Sequence, residues 1–480
     1  MSKKNKNKIS RRSLIKAGSA AALGTAALPY GVKVQAAEGE AEDKKFVFVI
    51  CASGGASIID SFMAPATGPA AHTIVRPDGS NLNAVAPLDN SIQGVIPLGN
   101  GYSQVTFLQK HGADTAVMAH EVSSVNHIIA AKRAVTGDNV FGGRTIMEAV
   151  ADKYGKSCML PNLALSGGGY GLHGDDVTLP SIARGETITD PLMFAFATHG
   201  YKGLAGMDEA QINGARGLRG QLEMVSRFQK EFAGNPILDV YQKNRDVVLR
   251  DLEKGNMVSK LMLLDPNTNN LAQFGFEVSG DMQMVLEKFP AMNTDPYEAK
   301  MALAFLAAKN GMSNAFSITP SQSPLIEAAA TPNSPIAFDW SHVDHRGAQN
   351  AMWSYMLKSI DGLIDLLKAT DIDGDPAKGK MWDKSLIYIA TEFGRDKVGG
   401  GGSGHHLNNG SVIISPMVNG NQIYGGIDEA TGLTHGFDPA TGAPDTNKQF
   451  LEPEVYSALA QALGLEFDGR KDMSAMIKKT

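Results

Sequence analysis

Four short segments of the 480-residue chain concentrate side chains able to hold a metal ion or move a proton. Phe338-Asp339-Trp340-Ser341-His342-Val343-Asp344-His345 packs two aspartates and two histidines into a few residues, the mixture of carboxylate oxygen and imidazole nitrogen that hard or borderline cations require. His120-Glu121-Val122-Ser123-Ser124-Val125-Asn126-His127 could supply a metal ligand from a histidine or an activated hydroxyl from Ser124. Equally, Ser124 or Asn126 could cap the helix that follows. Thr391-Glu392-Phe393-Gly394-Arg395 brings an acid and an arginine together, suited to ligating a metal and clamping an anion or to forming a surface ion pair. His405-His406-Leu407-Asn408-Asn409, just after the run Gly399–Gly402, is a further ligand pair or a polar loop. Asp371-Ile372-Asp373-Gly374-Asp375 resembles the start of a calcium loop, but no Glu stands at the twelfth position, so it reads as an Asp-rich turn.

These segments need elements to position them. Short, continuous apolar runs at Phe46–Cys51, Thr115–Ala119, Asn162–Leu165, Ala315–Ile318, Leu386–Ala390 and Val412–Ile414 read as buried strands. Helical spacing separates them at Ile128–Val135, Arg144–Tyr154, Tyr297–Asn310, Gly347–Ala369 and Glu454–Leu463. Alternation of this kind predicts an α/β fold, a mostly parallel central sheet flanked by helices. Met207–Phe232 and Leu238–Leu264 carry dense Glu, Lys, Arg, Leu and Met without a strand candidate, which predicts a helical insertion over about 207–264. Chemistry-bearing segments that directly follow strands then fall at the carboxyl edge of the sheet, where open α/β folds bind ligands. Cys51-Ala52-Ser53-Gly54-Gly55-Ala56-Ser57-Ile58-Ile59-Asp60 ends the first strand in a two-glycine turn that leaves Ser57 and Asp60 near that edge, with Asp60 as a site residue or a helix cap.

With 43% hydrophobic and 20% charged residues, the composition is that of a folded globular chain. Lys3, Lys4, Lys6 and Lys8 precede Ser10-Arg11-Arg12-Ser13-Leu14-Ile15-Lys16, a mild apolar run and Val34-Gln35-Ala36, the order of a twin-arginine export signal over residues 1–36. The remainder, 37–480, then works in the periplasm or outside the cell, after passage through the twin-arginine translocase and with no stable membrane span. Removing the signal takes away eight of the 44 basic residues and none of the 50 acidic ones, moving the net charge from −6 to −14. That balance argues against nucleic acid as a partner. Two cysteines are too few for a disulfide framework, and Cys51 reads as a buried thiol, with one bond to Cys158 left open.

Taken together and in order, Gly-Gly-x-Ser-x-x-Asp, Asn-His before Thr136-Gly137, the Trp/Asp/His segment, Glu-Phe-Gly-Arg and the glycine run ending in His resemble the bacterial exported family catalogued as domain of unknown function 1501. That family belongs to the alkaline-phosphatase-like superfamily, with the sulfatases. The resemblance spans Lys44 to Gly469 and implies an alkaline-phosphatase-like domain that holds one or two divalent metals (zinc, manganese or calcium) and acts on a phosphate or sulfate ester of a small molecule or polysaccharide. By position it assigns Asp60, Asp339, His342, Glu392 and His406 as metal ligands, places His127 near the nucleophile, and makes Arg144, Arg346 or Arg395 an oxyanion clamp. The sequence departs from the family in four places. His127 stands where a Ser, Thr or Cys nucleophile belongs, with Ser123 and Ser124 out of register, and no Cys-x-Pro-x-Arg occurs. Met63 replaces an aspartate, the Asp339-to-His342 spacing is three residues where two are usual, leaving His345 as a rival ligand, and Pro320–Pro335 reads as an insertion. A non-catalytic exported binding or assembly protein is the alternative that these departures leave open.

Overall fold

The computed structural model describes residues 44–63, 102, 104–195, 209–235, 260–265, 267–269, 279–321, 335–395, 402–428 and 433–479, although not every side chain within them. Residues 1–43 lie outside it, so the export signal does too. So do 322–334, within the proposed insertion, and 396–401, with most of the glycine run.

Phe46–Ala52 (β1) is Phe-Val-Phe-Val-Ile-Cys-Ala, every residue of it buried, the pattern of a strand covered on both faces. Because successive side chains alternate, Phe46, Phe48 and Ile50 enter one apolar core and Val47, Val49 and Cys51 the other. Around β1 assemble Thr115–Glu121 (β2), Asn162–Leu165 (β3), Glu186–Thr187 (β4), Ala315–Ile318 (β5), Ser385–Thr391 (β6), Asn408–Ile414 (β9) and Gln422–Tyr424 (β10). The sheet order is β10-β2-β9-β6-β1-β5-β3-β4. All neighbouring pairs are parallel except those of β9, which runs antiparallel to both β2 and β6. The architecture is therefore α/β with a mixed, mostly parallel sheet. Six of its strands coincide with the apolar runs read from the sequence.

The helices described are Ile58–Phe62 (α1), Gln104–His111 (α2), His127–Thr136 (α3), Ile146–Tyr154 (α4), Glu209–Met224 (α5), Arg227–Glu231 (α6), Met282–Lys288 (α7), Pro296–Lys309 (α8), His345–Ala369 (α9) and Glu452–Ala462 (α10). On one face of the sheet α8 and the 25-residue α9 carry the core, with Met352, Trp353, Leu357, Ile360 and Ile364 fully buried. On the other, α3, α4 and α10 pack Ala131, Val135, Val150, Tyr456 and Leu459. Between 209 and 231 the chain is helical, with Leu218, Leu222, Met224 and Phe228 exposed, and is broken where Ser226 caps α6 by accepting from the Gln229 amide. The Asp-rich turn is a turn, with Asp371 and Asp373 paired to Lys380, Lys44 and Lys378. Cys51 and Cys158 are both buried and not joined in a disulfide, and burial pushes the Cys51 thiol up to about 12.

The antiparallel course of β9 matters for function. It starts at the carboxyl edge of β2 and β6, so the residues leading into it, Gly394–Arg395 (β7) paired with His405–His406 (β8), sit at the same edge as the residues leaving β1, β2 and β6. Pairing of β6 with β9 stops at Ile389 and Val412, and the β7–β8 ladder takes over beyond the fork.

Gly54 fixes how the turn after β1 meets the chain after β5. Its φ is +90°, and a Cβ there would lie 2.3 Å from the Asp339 backbone nitrogen. Gly54→Ala should lower the unfolding free energy by about 2 kcal/mol or more in urea titrations. Gly167→Ala, at an extended residue with open space around it, should change it by less than about 0.5 kcal/mol.

Candidate metal centre

Asn126 ends the turn after β2 by accepting from the Ile129 amide, which starts α3 and makes His127 its first residue. After β6, Glu392 lies 6% exposed beneath that helix start. After β5 the chain returns as a 3-10 turn, Ala337–His342, carrying Asp339 and His342. β7 and β8 bring Arg395 and His405, cross-strand partners whose side chains share a face.

One atom organises the cluster, Asp339 Oδ1. Arg395 Nη2 lies 3.0 Å from it, His342 Nε2 3.3 Å, His127 Nε2 3.7 Å and His405 Nε2 3.9 Å. The histidine rings are not free to choose which nitrogen carries the proton. His127 Nδ1 is 2.6 Å from Glu392 Oε2, and a carboxylate only accepts, so the proton of neutral His127 sits on Nδ1. His405 Nδ1 is 3.0 Å from the Val125 carbonyl, which also only accepts. Each ring therefore turns an unprotonated Nε2 toward Asp339. One ring nitrogen each of His127 and His405 and an Asp339 oxygen lie within 4.8 Å of one another. A tetrahedral cation with bonds of about 2.0–2.2 Å holds its ligand atoms roughly 3.3–3.6 Å apart, against 3.7 and 3.9 Å from Asp339 Oδ1 to the two Nε2 atoms here. An imidazole oriented from behind by a carboxylate or carbonyl is the usual second shell of a metal-bound histidine. His342 Nε2 closes the cluster, 2.9 Å from His405 Nε2 and 3.3 Å from Arg395 Nη1.

Electrostatics follow the same division. The hydrogen bond from Glu392 raises the His127 pKa, although burial works against it. Burial lowers that of His405, and the positive Arg395 adds to the effect. Phe393 stacks on His405 with ring centroids 3.9 Å apart and meets His127 edge-on, closing one side of the cluster.

The sequence-derived ligand set is partly regrouped. Asp339 and His342 are in the cluster. Glu392 is one shell out, reaching the centre through His127 rather than as a ligand. His127, expected near the nucleophile, sits between Glu392, 2.6 Å from its Nδ1, and Asp339, 3.7 Å from its Nε2. His406 is turned away, because adjacent residues in a strand point to opposite faces: it pairs with Gly394 and its Nδ1 accepts from the Asn408 amide at 3.0 Å. His405, half of the ligand pair read from the sequence but not the histidine the resemblance assigned, is the one that faces Asp339, as its place opposite Arg395 in a hairpin would indicate. Ser124 lies apart, its Oγ accepting from the Asn126 amide, while Ser123 Oγ is tied to Glu452 and Arg133. His345 bonds Ser403 Oγ at 2.9 Å. The side chains of Asp60 and Arg346 lie outside the described residues, and Arg144 is held by Asp152 and Asp176.

Arg395 takes a different role from the expected anion clamp. Its side chain is 0% exposed. Nε donates to the Gly55 carbonyl, Nη1 to the Ser403 carbonyl and His342 Nε2, and Nη2 to the Gly54 and Phe338 carbonyls and Asp339. All five N–H groups are occupied, so none is left for a substrate. It is a positioning residue for Asp339.

Comparison with known protein families and with curated protein sequences gives no match.

Two outcomes are expected. Arg395→Met, leaving several backbone carbonyls and Asp339 without their donor, should cost about 3–5 kcal/mol of stability by chemical denaturation. In the metal-free protein, histidine ring protons followed by NMR should show His127 titrating above about 6.5 and His405 below it. In linkage terms His127 stabilises the fold fully below its unfolded pKa and loses that contribution as pH rises through its raised folded value. For His405 the sign is opposite, protonation opposing folding as pH falls. Zinc should remove both titrations from the neutral range, since it binds only the unprotonated Nε2.

Proposed function

We propose that this chain is an exported, metal-dependent hydrolase of phosphate or sulfate esters with an alkaline-phosphatase-like fold, its metal held by His127, His405 and Asp339. The observation that carries the reading is the pair of imidazoles whose Nδ1 protons are fixed outward, by Glu392 and by the Val125 carbonyl, so that both bare Nε2 atoms meet at one carboxylate oxygen. Support also comes from the location, since every contributing segment lies at the carboxyl edge of a mixed, mostly parallel sheet. Within the described residues no helix is long and apolar enough to cross a membrane, which is compatible with export through the twin-arginine translocase.

The donor set narrows the metal. Two or three imidazoles with one carboxylate suit zinc or manganese, whereas calcium favours an all-oxygen shell. When bound, such an ion supplies Lewis acidity toward an ester oxygen and lowers the pKa of a water molecule. The protein's own groups do the rest. Glu392 keeps the His127 proton on Nδ1, the Val125 carbonyl does the same for His405, and Arg395 holds Asp339 against the Gly54-Gly55 turn. Among the described residues Ser123 is bonded to Glu452 and Arg133, Ser124 Oγ accepts from the Asn126 amide, and Thr391 donates to the Phe393 carbonyl at 3.4 Å, and this reading takes water as the nucleophile. The same observation favours the second reading, a binding protein that keeps the metal without turnover.

Elemental analysis of the protein purified after export tests both. The expected result is about one equivalent of zinc or manganese, lost in His127→Ala and His405→Ala and retained in His406→Ala. Glu392→Gln should weaken metal affinity by about 10- to 100-fold. Absence of metal from the wild type, or loss in His406→Ala but not in His405→Ala, would overturn the assignment. Metal without turnover of any phosphate or sulfate ester would leave the binding protein.

A further inference from the structure

The segments that deliver the histidines and Asp339 each expose large aliphatic side chains close by. Beside His127 are Val125, Ile128 and Ile129, exposed at 40%, 58% and 47%. Flanking the turn that carries Asp339 and His342 are Ile336 and Val343, at 66% and 60%. Leu407, two residues after His405, is 44% exposed. Packing does not demand them. The buried face of α3 is made by Ala130, Ala131, Ala134, Val135 and Thr136, so Ile128 and Ile129 are off the face that holds the helix down. Helix first turns and strand-connecting loops are ordinarily polar, and single exposed aliphatics are unremarkable, but a group of them gathered at one polar centre marks a binding surface. Backbone contacts hold these segments together: the Val125 carbonyl takes the His405 Nδ1 proton, the Val122 amide donates to the Leu407 carbonyl, and a Cβ on Gly402 would meet the carbonyls of His342 and Val343.

We propose that the site takes an amphiphilic ester, an anionic phosphate or sulfate head at the metal centre with an alkyl or aryl group lying on the aliphatic rim. The proposal rests on the ester-hydrolase reading and narrows its substrate class. A polysaccharide ester fits poorly, because sugar hydroxyls laid on Ile, Val and Leu side chains lose water without gaining a hydrogen-bond partner. An alkyl chain loses nothing polar there and gains with each methylene that leaves water.

Calorimetry on the exported, metal-bearing protein tests it, with inorganic phosphate and sulfate, then methyl, butyl and octyl esters of each below their micelle concentrations, and a hexose phosphate. The expected result is an affinity rising with chain length, octyl about tenfold or more tighter than methyl, and a hexose phosphate no tighter than methyl phosphate. In the double variant Ile128→Ser/Val343→Ser the octyl-to-methyl ratio should fall at least about threefold, while Ile128→Leu keeps it. Inorganic anions binding with no dependence on chain length, or a hexose phosphate binding as tightly as the octyl ester, would overturn the amphiphile proposal and leave the ester reading standing. Failure of every anion and ester to bind would overturn both.

Discussion

The buried guanidinium of Arg395 is the interaction on which the site depends. Taking a charge out of water is costly unless its donors are all met, and here five N–H groups meet carbonyls from three separate stretches of chain, a histidine nitrogen and one carboxylate. Those stretches are the Gly54-Gly55 turn after β1, the 3-10 turn after β5 and the strand-like run at Ser403. None is regular secondary structure long enough to set its own position. Arg395 ties them into one layer, which is why Asp339 presents an oxygen at a fixed point over the sheet edge. The neighbouring glycines fit this arrangement: a Cβ on Gly55 would fall 2.5 Å from the Phe393 ring, so the turn lies close against the arginine's own strand.

From that fixed oxygen the rest of the cluster follows by tautomer. A histidine is a ligand only through an unprotonated nitrogen, and which nitrogen that is depends on what faces the other. Glu392 and the Val125 carbonyl make the choice for His127 and His405. The result is a centre with two shells, in which the inner atoms come from the start of α3, the turn after β5 and β8, while the outer ones come from the end of β6 and the turn after β2. All arise at the carboxyl edge because β9 runs backwards, carrying its leading residues to the place where the parallel strands end.

Much of this was legible in the sequence. The central strands announce themselves because a strand buried on both faces must be apolar throughout, and Phe46–Cys51 and Leu386–Ala390 are. The direction of β9 was not legible, since Val412–Ile414 is as apolar in one direction as in the other. Nor was its length: Asn408-Asn409-Gly410-Ser411 reads as loop but is strand, buried because Asn408 accepts from Thr434 and Ser411 meets His120. The choice between His405 and His406 turns on which face of a two-residue ladder each occupies, a matter of one position in register that composition cannot show. Arg395 illustrates a different limit. An arginine beside a glutamate after a strand suggests an anion clamp equally well whether its N–H groups face solvent or backbone, and only the fold decides that they face backbone.

With a metal bound as proposed, the charge balance would favour an anionic substrate even though Arg395 is not available to it. Asp339 and Glu392 bring two acids and Arg395 one base, and a histidine binds a metal only in its neutral form. A divalent cation among them would leave the centre with a net positive charge near its open, half-exposed side, where His127 and His342 are each 42% exposed. The chain carries six more acidic than basic residues, and fourteen more if the expected signal over 1–36 is removed, so the field far from the site repels anions, and attraction is confined to roughly a Debye length of the centre. A small phosphate or sulfate head can enter that region, whereas a densely charged polyanion would bring most of its charge against the acidic surface around it. The exposed aliphatic side chains at the rim work in the same direction. In the proposed amphiphile site they would add affinity for the uncharged remainder of an ester without calling on charge, and so compensate for an acidic protein's weak long-range attraction for anions.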